Sequence, residues 1–179
     1  CIRDSNEDYA SVPAEMKAVA AALGQEVLRG LTESDIIANI PILRGTVGDR
    51  AILRALHFLR ENARVEKQVD ALRRGDFDAF LALVIASGNS SFKYLQNVFT
   101  VKNVTEQGLS LALAVTEGLL DGKGCAWRVH GGGFAGTALA FVPDDRREMF
   151  RRTVEQTLGV DKCRLLSVRN PLAHSGRYC

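Results

Sequence analysis

Four glycines, Gly131, Gly132, Gly133 and Gly136, fall within six residues, between two short apolar runs in the stretch from Cys125 to Pro143. Glycine reaches positive φ and lets another group come close to the main chain, at an entropic cost. A chain that accepts this cost repeatedly in one turn is shaping a backbone-lined surface against something. The spacing Gly131-x-Gly133-x-x-Gly136 matches the dinucleotide-binding fingerprint, which needs a strand before it and a helix after it. Ala126 to Val129 reads as the strand. Thr137 to Val142, however, runs straight into Pro143 and reads as a second strand. The glycines therefore join two strands. A strand–loop–strand version occurs in protein kinases, but the His-Arg-Asp and Asp-Phe-Gly motifs are both missing. On pattern alone a glycine-rich hairpin with only a packing role stays open.

Upstream, the grammar is helical. Cys1–Asp8 is polar and short, and reads as the tail of a strand that begins outside this chain. Pro13 suits the first residue of a helix whose apolar face is Met16, Val19, Ala20 and Leu23, ended by Gly24. Thr32–Asn39 reads as a short capped helix, and Gly45–Gly48 as a loop. A long helix is expected from Asp49 to Gly75. Its charges Arg54, Arg60, Glu61, Arg64, Glu66 and Lys67 read as a solvated face, and His57 as a packed or surface residue.

Phe77–Ala86 reads as another helix, ending in the polar loop Ser87-Gly88-Asn89-Ser90-Ser91, read as a turn more readily than an anion site. Phe92–Val98 is amphipathic. Thr105 is the expected cap of a helix over Glu106–Leu120, so apolar on most sides that burial on most sides is expected. Asp144 or Asp145 should cap a helix through Leu158. Cys163–Val168 reads as a third strand, and residues 170–179, with His174, as a peripheral tail. The expected fold class is α+β: a helical first two-thirds with helices on one face of a small antiparallel sheet.

At 179 residues the chain suffices for one domain, or one and a half small ones. A net charge of +2, with basic and acidic residues interleaved, leaves no footprint for nucleic acid. No apolar run approaches the ~20 residues of a membrane helix, so no membrane partner is expected. The first residue is Cys1, and the charges Arg3, Asp4, Glu7 and Asp8 interrupt any signal-peptide core. Cys1, Cys125, Cys163 and Cys179 show neither a CxxC pair nor zinc spacing, which suits thiols in a reducing cytosol and a cytoplasmic chain.

The inventory for catalysis is incomplete. The histidines lack a Ser or Cys companion, and no Gly-x-Ser-x-Gly occurs. Cys125 and His130 would point to opposite faces of one strand and make a poor metal pair. No Gly-x-x-x-x-Gly-Lys-Ser/Thr occurs either. No catalytic residue and no metal ligand is assigned within this chain.

Arg128-Val129-His130-Gly131-Gly132-Gly133-Phe134-Ala135-Gly136-Thr137 resembles the third conserved motif of the GHMP small-molecule kinases, galactokinases in particular. The usual form is Arg-Met-Thr-Gly-x-Gly-Phe-Gly-Gly-Cys followed by an apolar strand, as in Ala138 to Pro143. Ser87-Gly88-Asn89-Ser90-Ser91 is similar to the family's Ser-His-x-Ser-Leu stretch. Asp8-Tyr9 resembles the place of its sugar-contacting tyrosine. The order of elements is galactokinase-like from about Tyr9 to Val168. His130 stands for the usual Thr, Ala135 for a glycine and Gly88 for the histidine. Two family motifs, Gly-Glu-His-x-Asp and Gly-Leu-Ser-Ser-Ser, are not in this sequence.

The resemblance implies the carboxy-terminal half of a galactokinase. Residues 1–8 would be a residual segment of the amino-terminal half, 9–169 a GHMP kinase carboxy-terminal domain (a ferredoxin-like variant) and 170–179 a tail. It implies ATP-dependent phosphorylation of galactose at its anomeric hydroxyl by the whole enzyme, with Mg2+. Neither cofactor would be bound by this chain alone, whose partner would be the amino-terminal half. Tyr9 would meet the sugar, and Gly131, Gly132, Gly133, Phe134, Ala135 and Gly136 would shape the cleft near the nucleotide phosphates, with Arg128 structural. The alternatives are a non-catalytic sugar- and nucleotide-binding sensor, or a small nucleic-acid-binding domain.

Overall fold

The structure is a computed structural model that describes residues 2–122, 124–134 and 136–166. Seven α-helices and one β-hairpin follow one another among these residues. Helix α1 (Ile2–Ala22) runs unbroken across the expected boundary at Tyr9, so the polar start is helix rather than the end of a strand. Pro13 lies inside α1, not at its first position. A proline there cannot donate to the carbonyl four residues back, which belongs to Tyr9. The polar run carries no helical apolar period, and its conformation follows from continuity with the Met16–Leu23 face behind it.

Helix α2 (Glu33–Ala38) is the short capped helix read over Thr32–Asn39, and its cap is a capping box. The Thr32 hydroxyl accepts from the Asp35 main-chain N–H at 3.2 Å, and the Asp35 carboxylate accepts from the Thr32 N–H at 2.7 Å. Helix α3 (Ile40–Thr46) has Pro41 in its first turn and takes in part of the expected loop. Helix α4 (Asp49–Arg73) ends before Gly75, as its periodicity predicts. Val19, Ala20, Ile36, Leu43, Ala51, Ile52 and Ala55 form the main core, packing α1, α2 and α3 on α4. Their removal from water is the main source of stability in this half.

Helix α5 (Phe77–Ser90) and a π-helical turn (Ser91–Leu95) absorb the segment read as a loop. The composition of Ser87–Ser91 is turn-like, but Ser87, Ser90 and Ser91 are buried, and tertiary contacts override the local preference. Helix α6 is Gly108–Leu120, capped at Gln107 with no side-chain bond, while the Thr105 hydroxyl bonds Asn103 instead. The expectation of burial on most sides is corrected here. Only Thr116 and Leu120 of α6 are buried, and Leu111 is 58% exposed.

Strands β1 (Ala126–His130) and β2 (Thr137–Phe141) pair antiparallel, Ala126 opposite Phe141 and His130 opposite Thr137. Helices cover both faces of this hairpin, not one. On one face Ala126 meets Leu81 and Val84 of α5, with Phe80 edge-on to Phe141 at 5.8 Å. On the other, Trp127 and Ala140 pack with Leu120, Phe150 and Val154 of α6 and α7 (Arg147–Leu158). Strands apolar on both sides need cover on both sides. Helix α7 starts after Arg146, without the side-chain cap expected from Asp144 or Asp145. Cys163–Leu166 is not a strand, so among the described residues the sheet has two strands and lacks the extra strands of a ferredoxin-like arrangement. Residues 167 and 168, the 170–179 tail with His174 and Cys179, and Cys1 and Ala135 lie outside the described residues. No helix of the described residues is long and apolar enough to cross a membrane.

Candidate functional site

The glycine bend turns between β1 and β2 as predicted. Gly131 (φ 67°), Gly133 (φ 81°) and Phe134 (φ 56°) are in the left-handed region, which glycine enters without strain and phenylalanine does not. Gly131 and Gly136 are exposed, and Gly132, Gly133 and Phe134 half-buried. The bend closes on itself through the Gly136 N–H donating to the Gly133 carbonyl at 3.0 Å.

Tyr9, more than 120 residues away in sequence, lies directly on this bend. A Cβ added at Gly132 would fall within the Tyr9 ring. Tyr9 is nonetheless 60% exposed, so one part of its ring rests on main chain and the rest faces outward. The two sequence-predicted sites are thus one surface. Ala135, the remaining predicted member, lies outside the described residues.

Asn97 holds the other side of the bend and was not legible as a site residue. Its carbonyl accepts from the Phe134 N–H at 2.5 Å, and its side-chain Nδ2 donates to the Gly132 carbonyl at 3.3 Å. A Cβ at Gly133 would collide with that Asn97 carbonyl and lie 2.7 Å from Nδ2. Gln96 precedes it in the left-handed region (φ 56°), closing the π-helical turn through its N–H to the Ser91 carbonyl at 2.8 Å. Asn97 is 2% exposed, and among the described residues neither its Oδ1 nor Oδ2 of buried Asp8, next to Tyr9, has a hydrogen-bond partner. Nothing in the local sequence singles Asn97 out, because Ser91, Lys93 and Gln96 make the stretch before it polar too; its need for partners arises only once it is buried.

Behind the bend, β1 is fixed to α4 and α5 by a polar network. The Arg128 Nη1 donates to the Ser87 hydroxyl at 2.5 Å and lies 3.5 Å from the Glu61 carboxylate, which also accepts from Ser87 and pairs with Arg64. One turn along, His57 Nδ1 and the Ser90 hydroxyl are 2.9 Å apart. Burial pushes the His57 imidazole below its ordinary pKa; Glu61 opposes this, while Arg64 and Arg128 add to it. Gly88 sits where α5 crosses β1, and a Cβ there would lie 2.9 Å from Arg128 Cβ and 3.1 Å from the Trp127 carbonyl. Arg128 thus has the structural role read for it, as an anchor of the strand that leads into the bend.

On α4, Arg54 corrects the solvated-face reading. It is 2% exposed and donates to the Leu95 carbonyl (3.1 Å), the Ser11 hydroxyl (2.9 Å) and the Glu15 carboxylate (2.9 Å). Arg50 holds the same carboxylate. The arrangement ties α1, and with it Tyr9, to α4 and to the turn that presents Asn97. Among the described residues no group of three or more His, Cys, Asp or Glu converges as a metal site.

No protein-family model matches this chain. It is 36% identical to a galactokinase of Limosilactobacillus reuteri (strain DSM 20016) over 107 residues, 59% of this chain and 25% of that relative. It is 29% identical to a galactokinase of Actinobacillus pleuropneumoniae over 147 residues, 82% of this chain and 36% of the relative. A galactokinase of Thermotoga petrophila is 32% identical over 135 residues, 75% of this chain and 34% of the relative. In three dimensions the fold is similar to Lactococcus lactis galactokinase complexed with galactose, at a TM-score of 0.64 and 25% identity. That match covers 84% of this chain and 37% of the solved one. Across these curated relatives the matched part is 25% to 36% of their length.

Proposed function

We propose that residues 9–169 of this chain, related to galactokinases over part of their length in both sequence and fold, form the carboxy-terminal lobe of a cytoplasmic, ATP-dependent galactokinase. In this reading the whole enzyme moves the γ-phosphoryl group of ATP to the anomeric hydroxyl of galactose. The observation that supports it is the seating of Tyr9 on Gly132. It joins an aromatic ring, suited to the apolar face and hydroxyls of a sugar, to bare main chain suited to close approach by a phosphate group. Tyr9 meets the sugar. Gly131, Gly132, Gly133, Phe134, Ala135 and Gly136 line the cleft beside the nucleotide phosphates.

In this reading a catalytic aspartate, the family's Ser-rich Gly-Leu-Ser-Ser-Ser motif as a phosphate loop and the hold on Mg2+ belong to an amino-terminal lobe, which places the acceptor and the phosphates against the bend. This chain alone then turns over no sugar. ADP release with galactose and ATP, measured on this chain alone and on the chain joined to an amino-terminal galactokinase lobe, tests the reading. Turnover is expected only from the joined protein. Robust turnover by the chain alone overturns the two-lobe division. Binding of galactose and ATP by the joined protein without ADP release replaces the kinase by a sensor.

A further inference from the structure

A cavity of about 550 Å³ opens between the α1–α2 connection and the exposed side of α4, apart from Tyr9, Asn97 and the glycine bend. Four cations line it: Arg29, Arg60, Arg64 and Lys67. Its apolar wall is Leu28, Leu31, Leu59 and Leu83, and Glu33 is its one acidic residue. Glu33 pairs with Arg60, and Arg64 with Glu61. Arg29 and Lys67 are exposed and, among the described residues, have no acidic partner. Two positive charges, presented from two different elements, thus face one concavity with no counter-charge.

We infer that this cavity is a second ligand site, for a small molecule carrying a phosphate group. Its volume falls in the range of small-molecule pockets, roughly 300–1,000 Å³. The Arg29 guanidinium offers a planar fork of donors that fits phosphate oxygens two at a time, and Lys67 on α4 supplies a second point charge to the same cavity. Two uncompensated cations match a phosphate monoester, which carries close to two negative charges at neutral pH. The leucine wall takes the organic part of the molecule. A long polyanion is disfavoured, because acids interleave with bases over the rest of the surface. The inference stands independently of the kinase reading, since none of the lining residues belongs to that site.

Calorimetric titration of the chain with glycerol 3-phosphate, with inorganic pyrophosphate and with acetate tests it. Saturable one-to-one binding of the two phosphates, weaker as salt is raised, is expected, with acetate at least tenfold weaker. The double variant Arg29→Gln/Lys67→Gln should lose at least tenfold in phosphate affinity with its melting temperature unchanged, because both side chains are exposed. If the double variant melts early, Lys67→Gln alone gives the comparison. Absence of saturable binding, equal binding of acetate, or phosphate affinity unchanged in the variants each overturns the proposal.

Discussion

Gly132 and Tyr9 are in contact so close that no side chain fits between them, whereas Gly133 is closed off by the main chain of Asn97. These two neighbours should respond differently to a methyl group. In Gly132→Ala the obstacle is a ring that is 60% exposed and can swing outward, so the cost should be about 1 kcal/mol. In Gly133→Ala the obstacle is a carbonyl fixed by its bond from Phe134, and φ of 81° adds strain. A loss of about 3 kcal/mol is expected there. Urea unfolding of both variants checks the order; a Gly132 variant less stable than the Gly133 one would show that the Tyr9 ring cannot move.

Helix α5 and strand β1 meet at Gly88, and two effects compete in Gly88→Ala. Alanine in a helix interior is favoured over glycine by about 1 kcal/mol. Against that, the new Cβ lies 2.9 Å from Arg128 Cβ, 3.1 Å from the Trp127 carbonyl and 3.2 Å from Arg128 Cα. Two of these atoms are strand backbone, and they move only if α5 lifts off β1. Such overpacking costs about 1–3 kcal/mol, so a net fall in melting temperature is expected. A rise would mean that the helix and strand are further apart than they stand here.

The parts that were legible in advance are those where local chemistry and tertiary structure agree. The hairpin is one, because the glycines and Pro143 leave no other way to connect two apolar runs. The short capped helix after Thr32 and the Asp49–Arg73 helix are others. Where the two disagree, the sequence misleads. Ser87–Ser91 has the composition of a turn, yet small residues are there so that α5 can pass close over β1 and bond to Arg128 and His57. Arg54 looks like one more charge on a charged helix. Its burial depends on Glu15 and Ser11, about 40 residues earlier, which no local pattern reveals. Asn97 belongs to the site only because the π-helical turn aims it at the bend. The meeting of Tyr9 with Gly132 follows from the alignment of α1 on α4, which neither periodicity nor the family resemblance foretold.

Arg54 anchors that alignment, and its removal should be costly. Arg54→Met keeps much of the volume but leaves the Leu95 carbonyl and the Ser11 hydroxyl without their donor. Glu15 keeps Arg50 as a partner. Glu15→Ala leaves the buried guanidinium of Arg54 without its carboxylate, and breaking a buried pair this way costs about 3–5 kcal/mol. Glu15→Ala is therefore expected to destabilise at least as much as Arg54→Met, by chemical denaturation at neutral pH. An effect under about 1 kcal/mol for both, as for an exposed pair, would refute the anchoring role.

His57 gives the structure a stability that depends on pH in a defined direction. Burial lowers its folded pKa below the ordinary 6.5, so the unfolded chain takes up a proton more readily than the folded one. The unfolded state is then favoured as pH falls below about 6.5, with a limiting slope of about 1.4 kcal/mol per pH unit from this one group. The loss continues down to the depressed folded value, where both states are protonated. Glu33 and Asp35, held below their ordinary values of 4.5 and 3.8 by Arg60 and Thr32, add their own loss only at more acid pH. Stability measured from pH 7 to pH 5 should thus fall in the native sequence and fall less steeply in His57→Gln, whose amide can still meet the Ser90 hydroxyl. Identical slopes in the two proteins would mean that His57 gains its proton without leaving the fold, and that the Ser90–His57 contact is open to water.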